Sequence, residues 1–280
     1  MSSKESGLNV TAGLRVAVLG AGKMGGILLQ AFVRSGLFTA EQIAATVAHE
    51  LRAEALTRQF GLNVTLDNRR AVEGADIVLL AVKPTQVVQL VREVGASIKP
   101  GALLLSIAAS VKTAAIEDAV GGSAAVIRAM PNTPAMLGAG ITALCRGRFV
   151  TDEQLGLAQK IFETVGRVVV VDERHMDAVT GLSGSGPAFL YIILESLAEA
   201  GVNVGLPREI ATQLAAQTAY GAARMVLETG SHPALLKDEV TTPAGCTVDG
   251  ILELEEGGLR VTLIKAVKRA TERARELAGN

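Results

Sequence analysis

Val16-Ala17-Val18-Leu19-Gly20-Ala21-Gly22-Lys23-Met24-Gly25 is the stretch whose reading decides the fold. Val16–Leu19 has the length of a buried strand, a G-x-G-x-x-G pattern follows at once, and Ile27–Arg34 continues with helical character. Strand, glycine turn and helix start in that order bring backbone N–H groups and a helix N-terminus up to a pyrophosphate. The pattern alone is weak, but its context is specific. Gly20, Ala21, Gly22, Lys23, Met24 and Gly25 are therefore expected to bind a dinucleotide; the competing reading is a glycine-rich turn with nothing bound.

Outward from this stretch, short apolar runs recur between helix-length segments: Ile43–Val47, Ile77–Val82, Ala102–Ile107, Ala124–Ile127, Ile141–Leu144 and Val168–Val171. Continuously apolar strands spaced in this way predict a parallel sheet covered on both faces. The expectation is an α/β, Rossmann-type doubly wound parallel sheet over residues 14–172, preceded by a flexible leader over 1–13. Beyond 172 the pattern changes to helices: Pro187–Ala200, Pro207–Glu228, Val248–Glu256 and Leu259–Leu277, the first two opening on a proline that a helix start tolerates. These helices are apolar around much of their circumference, as expected of helices that bury against a second subunit as well as each other. Residues 173–280 thus read as an all-α C-terminal dimerisation domain, to which the resemblance given below adds substrate binding.

Composition removes several function classes. The 280 residues are 49% hydrophobic and 20% charged with a net charge of −1, which argues against disorder and against a nucleic-acid footprint. The C-terminal cations Lys265, Lys268, Arg269, Arg273 and Arg275 are interleaved with Glu272 and Glu276, as on a solvated helix face. Cys145 and Cys246 are too few for a disulfide framework, and His49, His175 and His232 show no ligand spacing, so no structural metal is expected. The polar start MSSKESGLNVTAG has no apolar core, and no uninterrupted apolar stretch has membrane-spanning length. A cytoplasmic location is expected.

Cofactor type turns on the end of the second apolar run, Thr46-Val47-Ala48-His49-Glu50-Leu51-Arg52. Val47 or Ala48 holds the place where a ribose-binding acid is usual. Its absence removes repulsion against a 2′-phosphate, which His49 and Arg52 could contact. Glu50 argues the other way unless it points outward, and His49 could equally be an ordinary surface residue. The balance favours NADPH over NADH. Ala81-Val82-Lys83-Pro84 and Ser106-Ile107-Ala108-Ala109-Ser110 follow two further strands, where small residues let a flat ring approach the backbone; Lys83-Pro84 also reads as a plain helix start.

Far from the glycine loop, Thr241-Thr242-Pro243-Ala244-Gly245-Cys246-Thr247 places hydroxyls, Pro and Gly just before an amphipathic run. It describes either a helix cap or a dock for a small carboxylate at a helix N-terminus. Arg128 could contact an anion or brace the domain junction, and Asn132 and Thr133 between two prolines read as a rigid turn. Met130 and Met136 are expected as core fillers. Cys246 reads as a small loop residue rather than a redox switch.

With these residues in view, the chain resembles the pyrroline-5-carboxylate reductase family from about Leu14 to its C-terminus. The resemblance is carried by GAGKMG, AVKP, SIAAS, RAMPNTPA (Arg128–Ala135), DAVTGLSGSGPAF (Asp177–Phe189) and LKDEVTTPAGCT (Leu236–Thr247). Two departures are visible: Ser110 stands where the family commonly has Gly, and Ala244-Gly245-Cys246 replaces a more Gly-rich run. The resemblance implies NAD(P)H-dependent reduction of a cyclic imine to L-proline, in a domain-swapped helical dimer that often assembles into a decamer. It implies cofactor contacts from Asn68 and Lys83, with Ala81, Val82, Ala108 and Ala109 around them. It also implies that the Thr242–Thr247 loop, with Gly245 and Cys246, holds the substrate carboxylate through backbone N–H groups. Thr247 would face the ring nitrogen, Glu173 would lie near the substrate, and Ser185 and Gly186 would line the same pocket. The pocket would combine one subunit's glycine loop with its partner's TTPAGCT loop.

That chemistry suits a chain without an obvious acid–base pair. Hydride transfer to a protonated imine relies on positioning and exclusion of water, and Thr247 can orient the nitrogen without being a strong acid. A β-hydroxyacid dehydrogenase is the nearest rival, but its base is a Lys early in the helical domain, and no Lys occurs between Lys160 and Lys237. A non-catalytic nucleotide-binding protein is the other alternative. It would have no reason to keep a complete substrate loop.

Overall fold

The structure is a computed structural model that describes residues 11–122 and 124–278. Among these residues, the strands β1 (Val16–Leu19), β2 (Ile43–Thr46), β3 (Asn63–Thr65), β4 (Ile77–Leu80), β5 (Leu103–Ser106), β6 (Ala125–Met130), β7 (Gly140–Arg146) and β8 (Gly166–Val170) form one sheet. Its order is β3-β2-β1-β4-β5-β6-β7-β8. Helices α1 (Lys23–Ser35), α2 (Glu50–Phe60), α3 (Asn68–Val72), α4 (Pro84–Val94), α5 (Thr113–Val120) and α6 (Asp152–Glu163) connect the strands. The remaining helices are α7 (Met176–Val179), α8 (Gly186–Asn203), α9 (Arg208–Thr229), α10 (Pro233–Glu239), α11 (Cys246–Glu256) and α12 (Leu259–Ala278).

Strands β1 to β6 pair in parallel, and except in the edge strand β3 their residues are almost wholly buried, as a sheet covered on both faces requires. The sheet is not parallel throughout. β7 pairs antiparallel with β6, and β8 then runs parallel to β7. The link from β6 to β7 is the Pro131–Ala139 segment, a 3₁₀ turn over Thr133–Leu137, too short for the crossover a parallel connection needs. Elements beyond the sequence reading include the three-residue edge strand β3, the four-residue helix α7 and the seven-residue helix α10.

Among the described residues, contacts divide the chain into two compact units, residues 11–184 with 270–278, and residues 185–269. In the first, each sheet face has its own core. Leu28, Leu29 and Phe32 of α1 pack with Ile43 and Ile77 on one face, and Val87 and Val91 of α4 pack with Leu104 and Val126 on the other. Phe32 meets Phe38 edge to face at 5.5 Å. Residues 11–13 of the expected leader belong to this unit: Thr11 is buried, its hydroxyl donates to Leu37 O, and its carbonyl accepts from Gln42. Residues 1–10 lie outside the described residues. In the second unit the buried apolar side chains are alanines, Ala198 and Ala211. Leu190, Tyr191, Ile192, Leu214, Leu252 and Ile264 there are each more than half exposed.

Candidate functional site

The glycine loop is pinned from β2. Thr46 lends its hydroxyl oxygen to Gly20 N at 3.1 Å and its carbonyl to Ala21 N at 2.7 Å. Gly20 sits at φ 93°, and a Cβ there would lie 2.8 Å from the Val82 side chain. A Cβ on Gly25 would fall 2.4 Å from Gly20 O and 2.9 Å from Ala81 Cβ, so this glycine allows α1 to press against β1 and β4. Gly22 has nothing within 4 Å of such an atom. The first and third glycines are thus required by the protein's own packing, and the second leaves open space. No side chain caps the start of α1, so its N–H groups remain for an anion.

That open space belongs to a cavity of about 630 Å³ within the first unit. Its walls include Gly20, Ala21, Gly22, His49, Arg52, Asn68, Ala81, Val82 and Lys83, so the expected cofactor residues come together from four separate strand ends. Lys83 is the N-cap of α4 and is exposed, and Pro84 begins that helix. Asn68 begins α3, where Asp67 accepts from Arg69 N at 2.9 Å and Arg70 N at 3.2 Å. The donor set fits a phosphorylated dinucleotide: Arg52, Lys83 and His49 supply positive or donor groups, and Glu93 stands as the acid among the lining residues. Glu50 is exposed and does not line the cavity. Lys23 lines a neighbouring groove with Arg52 and Met136, while Met24 packs against the core and Gly25 is buried.

Ala108, 3% exposed, and Ala109 follow β5 and do not line the cavity, although Ile107 N donates to Leu80 O beside it at 3.1 Å. Sequence reasoning overlooked Thr46, Leu66, Gln86, Gln89, Leu90 and Glu93 as lining residues. Three of them share a pattern, though one that reads equally as a solvated helix face. Gln86, Gln89 and Glu93 make a polar stripe on α4, beside the buried Val87, Val91 and Val94.

Glu173 has a defined role in the first unit. Its two oxygens accept from Thr113 N at 2.7 Å and Thr113 Oγ1 at 3.1 Å, so it caps the start of α5. Arg128, 3% exposed, lies 3.8 Å from Glu173 and 3.4 Å from Asp177, which makes it a brace. Asn132 braces the turn as well, accepting from Ile141 N at 3.0 Å and donating to Ser183 O at 3.4 Å. Met130 packs partly buried against this region, but Met136, expected as a core filler, is 53% exposed because its 3₁₀ turn projects it from the surface. Burial, with Glu173 nearby, pushes the Cys145 thiol up to about 11, so it stays protonated and inert at neutral pH.

The TTPAGCT segment lies in the second unit. Gly245 is the N-cap of α11, and a Cβ there would come within 2.4 Å of Thr242 Oγ1. Gly245 N donates to Thr242 O at 3.0 Å, which closes the loop. Thr247 is half-buried in the first turn of α11, and Cys246 beside it is exposed. Ser185 and Gly186 start α8 after a π-helical turn over Thr180–Gly184. Among the described residues, Ser110 at φ 64° and Ala244 at φ 58° are the non-glycine positions with positive φ. Ser110 stands where the family commonly has Gly, and Ala244 opens the run that is more Gly-rich in the family.

The helical region, residues 173–277, matches the family model described as pyrroline-5-carboxylate reductase dimerisation, and residues 15–110 match that of NADP oxidoreductase, coenzyme F420-dependent. The pyrroline-5-carboxylate reductase of Methanosarcina acetivorans is 43% identical over 94% of this chain and 97% of its own length. That of Arabidopsis thaliana is 40% identical over 94% and 95%. The solved structure of the Coxiella burnetii reductase superposes with a TM-score of 0.88 at 36% identity, covering 95% of this chain and 98% of that one. The Plasmodium falciparum enzyme, solved with NADP bound, gives a TM-score of 0.86 at 28% identity over 95% and 98% of the two chains. With a glycine-loop cavity suited to NADP, an apolar helical region that matches a dimerisation model and full-length relatives of one activity, the chain belongs to the pyrroline-5-carboxylate reductase family.

Proposed function

We propose that this protein reduces 1-pyrroline-5-carboxylate to L-proline with NADPH or NADH, the last step of proline biosynthesis. The observation that carries the reading is the cavity that gathers Gly22, His49, Arg52, Asn68 and Lys83 beside an uncapped helix start. When bound there, a reduced nicotinamide supplies a hydride to the imine carbon while the ring nitrogen takes a proton. Gly20, Gly22 and the α1 N-terminus hold the pyrophosphate, Asn68 and Lys83 flank the bound cofactor, and Ala108 and Ala109 leave room for a flat ring. His49 and Arg52, without a competing acid at Val47 or Ala48, favour the 2′-phosphate of NADPH.

The substrate carboxylate docks on the N–H groups of the Thr242–Thr247 loop at the start of α11. Thr247 holds the ring nitrogen, with Ser185 and Gly186 lining the pocket. Glu173 shapes it indirectly, because both its oxygens accept from Thr113. Residues 173–280 form the dimerisation domain, the partner supplies its TTPAGCT loop to complete each site, and dimers assemble into a decamer. Neither nucleic acid nor a membrane is a partner in this reading, and the protein is cytoplasmic.

Initial rates of NADPH and NADH oxidation with and without racemic pyrroline-5-carboxylate test the reading. Imine-dependent oxidation, faster with NADPH, is expected; folded protein that binds NADPH and never oxidises it would overturn the assignment. A Thr247→Ala variant with unchanged kcat and pH profile would overturn the role of Thr247 at the ring nitrogen.

A further inference from the structure

Ser110 sits in the segment between β5 and α5, directly after Ala108 and Ala109. Its backbone is left-handed at φ 64°, its side chain is 6% exposed, and its hydroxyl donates to Ala274 O at 2.9 Å. Ala274 is 2% exposed in the last turns of α12, and residues 270–278 belong to the same compact unit as Ser110. The two ends of the segment are held elsewhere. Ile107 N donates to Leu80 O at 3.1 Å, and Thr113 gives both its N–H and its hydroxyl to Glu173.

With its ends fixed, the segment is set in its middle by Ser110. A left-handed conformation costs a serine about 1 kcal/mol or more relative to glycine, so the position is retained against its own backbone preference. What offsets that cost is the bond to Ala274. A buried hydroxyl that loses such a partner is costly, which keeps Ser110 and α12 together. Any shift of Ser110 passes through Ala109 to Ala108 within two peptide units.

We propose that Ser110 is a positioning residue, which locks the Ile107–Thr113 segment to the end of α12 and so fixes Ala108 and Ala109, which lie outside the cavity itself and which the reductase reading places beside the nicotinamide ring. The proposal rests on the reductase reading for the identity of that ring, but its main readouts do not use the imine. It also gives the C-terminal residues a task in cofactor binding. Removing the last turns of a surface helix would ordinarily be silent in that respect.

Two variants test it, Ser110→Ala and Ser110→Gly. Both lose the hydroxyl; the glycine variant also relieves the backbone, so it folds even where the alanine variant does not. Both are expected to weaken NADPH binding, followed by nicotinamide fluorescence, about fivefold. Amide exchange should quicken in residues 107–112 and in the last turns of α12. In turnover, KM for NADPH should rise while KM for the imine stays unchanged, a split that general destabilisation does not produce. Wild-type affinity and exchange in both variants would overturn the proposal, as would an effect in the glycine variant alone, which would assign it to the backbone rather than the hydroxyl.

Discussion

In the nucleotide-binding unit, Val18, Leu28, Leu29, Phe32 and Leu79 are each at most 1% exposed; in the helical unit Leu190, Ile192, Leu252 and Ile264 are each more than half exposed. Both regions are rich in apolar residues. The sheet supplies two faces, and helices from the same chain cover both, so its apolar content is satisfied internally. The helices of the second unit bury little beyond alanines and leave large apolar side chains exposed. Apolar content therefore reports burial in the assembly rather than in the chain, and a region that matches a dimerisation model has a second copy as the natural cover.

The sharpest way to break the contrast is to disable one unit and watch the other. Gly25→Val would drive side-chain atoms into Gly20 O and Ala81. NADPH binding should fall more than about hundredfold by fluorescence titration, while light scattering still reports the assembled oligomer. In the opposite sense, Leu190→Asp with Leu214→Asp places charges on the exposed apolar helices. Light scattering should then show monomer at micromolar concentration, with NADPH binding retained, because the nucleotide unit carries its own core. Equal loss of both properties in either variant would mean that the two units do not fold independently.

A smaller effect probes the braces of the first unit. Arg128→Met leaves the carboxylates of Glu173 and Asp177 facing a buried site without their cation, and should cost about 3 kcal/mol in chemical denaturation. Arg128→Lys should recover little, because one ammonium cannot meet both acids as the guanidinium does.

The smallest effect lies at the surface. Burial works against ionisation of Asp76, but the Lys99 ammonium at 2.5 Å and the Arg15 N–H at 2.9 Å outweigh it and hold its carboxyl below the usual range. A depressed carboxyl contributes stability above its unfolded-state pKa and loses it as pH falls through the folded value. Asp76→Asn should therefore cost at most about 1 kcal/mol at pH 7, since Lys99 is half exposed, and the difference from wild type should vanish in acid.

The strands of the nucleotide unit were legible because each is a continuous apolar run bounded by breakers, and the glycine loop because its spacing is tied to a strand before and a helix after. β3 was not legible, since Asn63-Val64-Thr65 is three residues long, half-polar and at the sheet edge, where burial imposes little pattern. The reversal at β7 carried a readable sign. Pro131-Asn132-Thr133-Pro134 reads as a turn, and a turn cannot span a parallel crossover. Much of the cavity wall was legible where it follows β1, β2, β3 and β4, but Ala108 and Ala109 after β5 lie outside it, and the α4 stripe of Gln86, Gln89 and Glu93 looks like any solvated helix face until the cavity is seen. Glu173 and Ser110 were beyond sequence reasoning. Their partners, Thr113 and Ala274, lie 60 and 164 residues away.

Ala244 has a consequence for the resting protein. At φ 58° an alanine pays about 1 kcal/mol that a glycine would not, which favours the loop's other conformers about fivefold relative to a glycine-bearing loop. A ligand that requires the left-handed form must draw the loop out of that wider ensemble. In the proposed reading, the free loop's population, as much as the N–H groups it presents, then sets how tightly the substrate carboxylate is held and how readily it leaves.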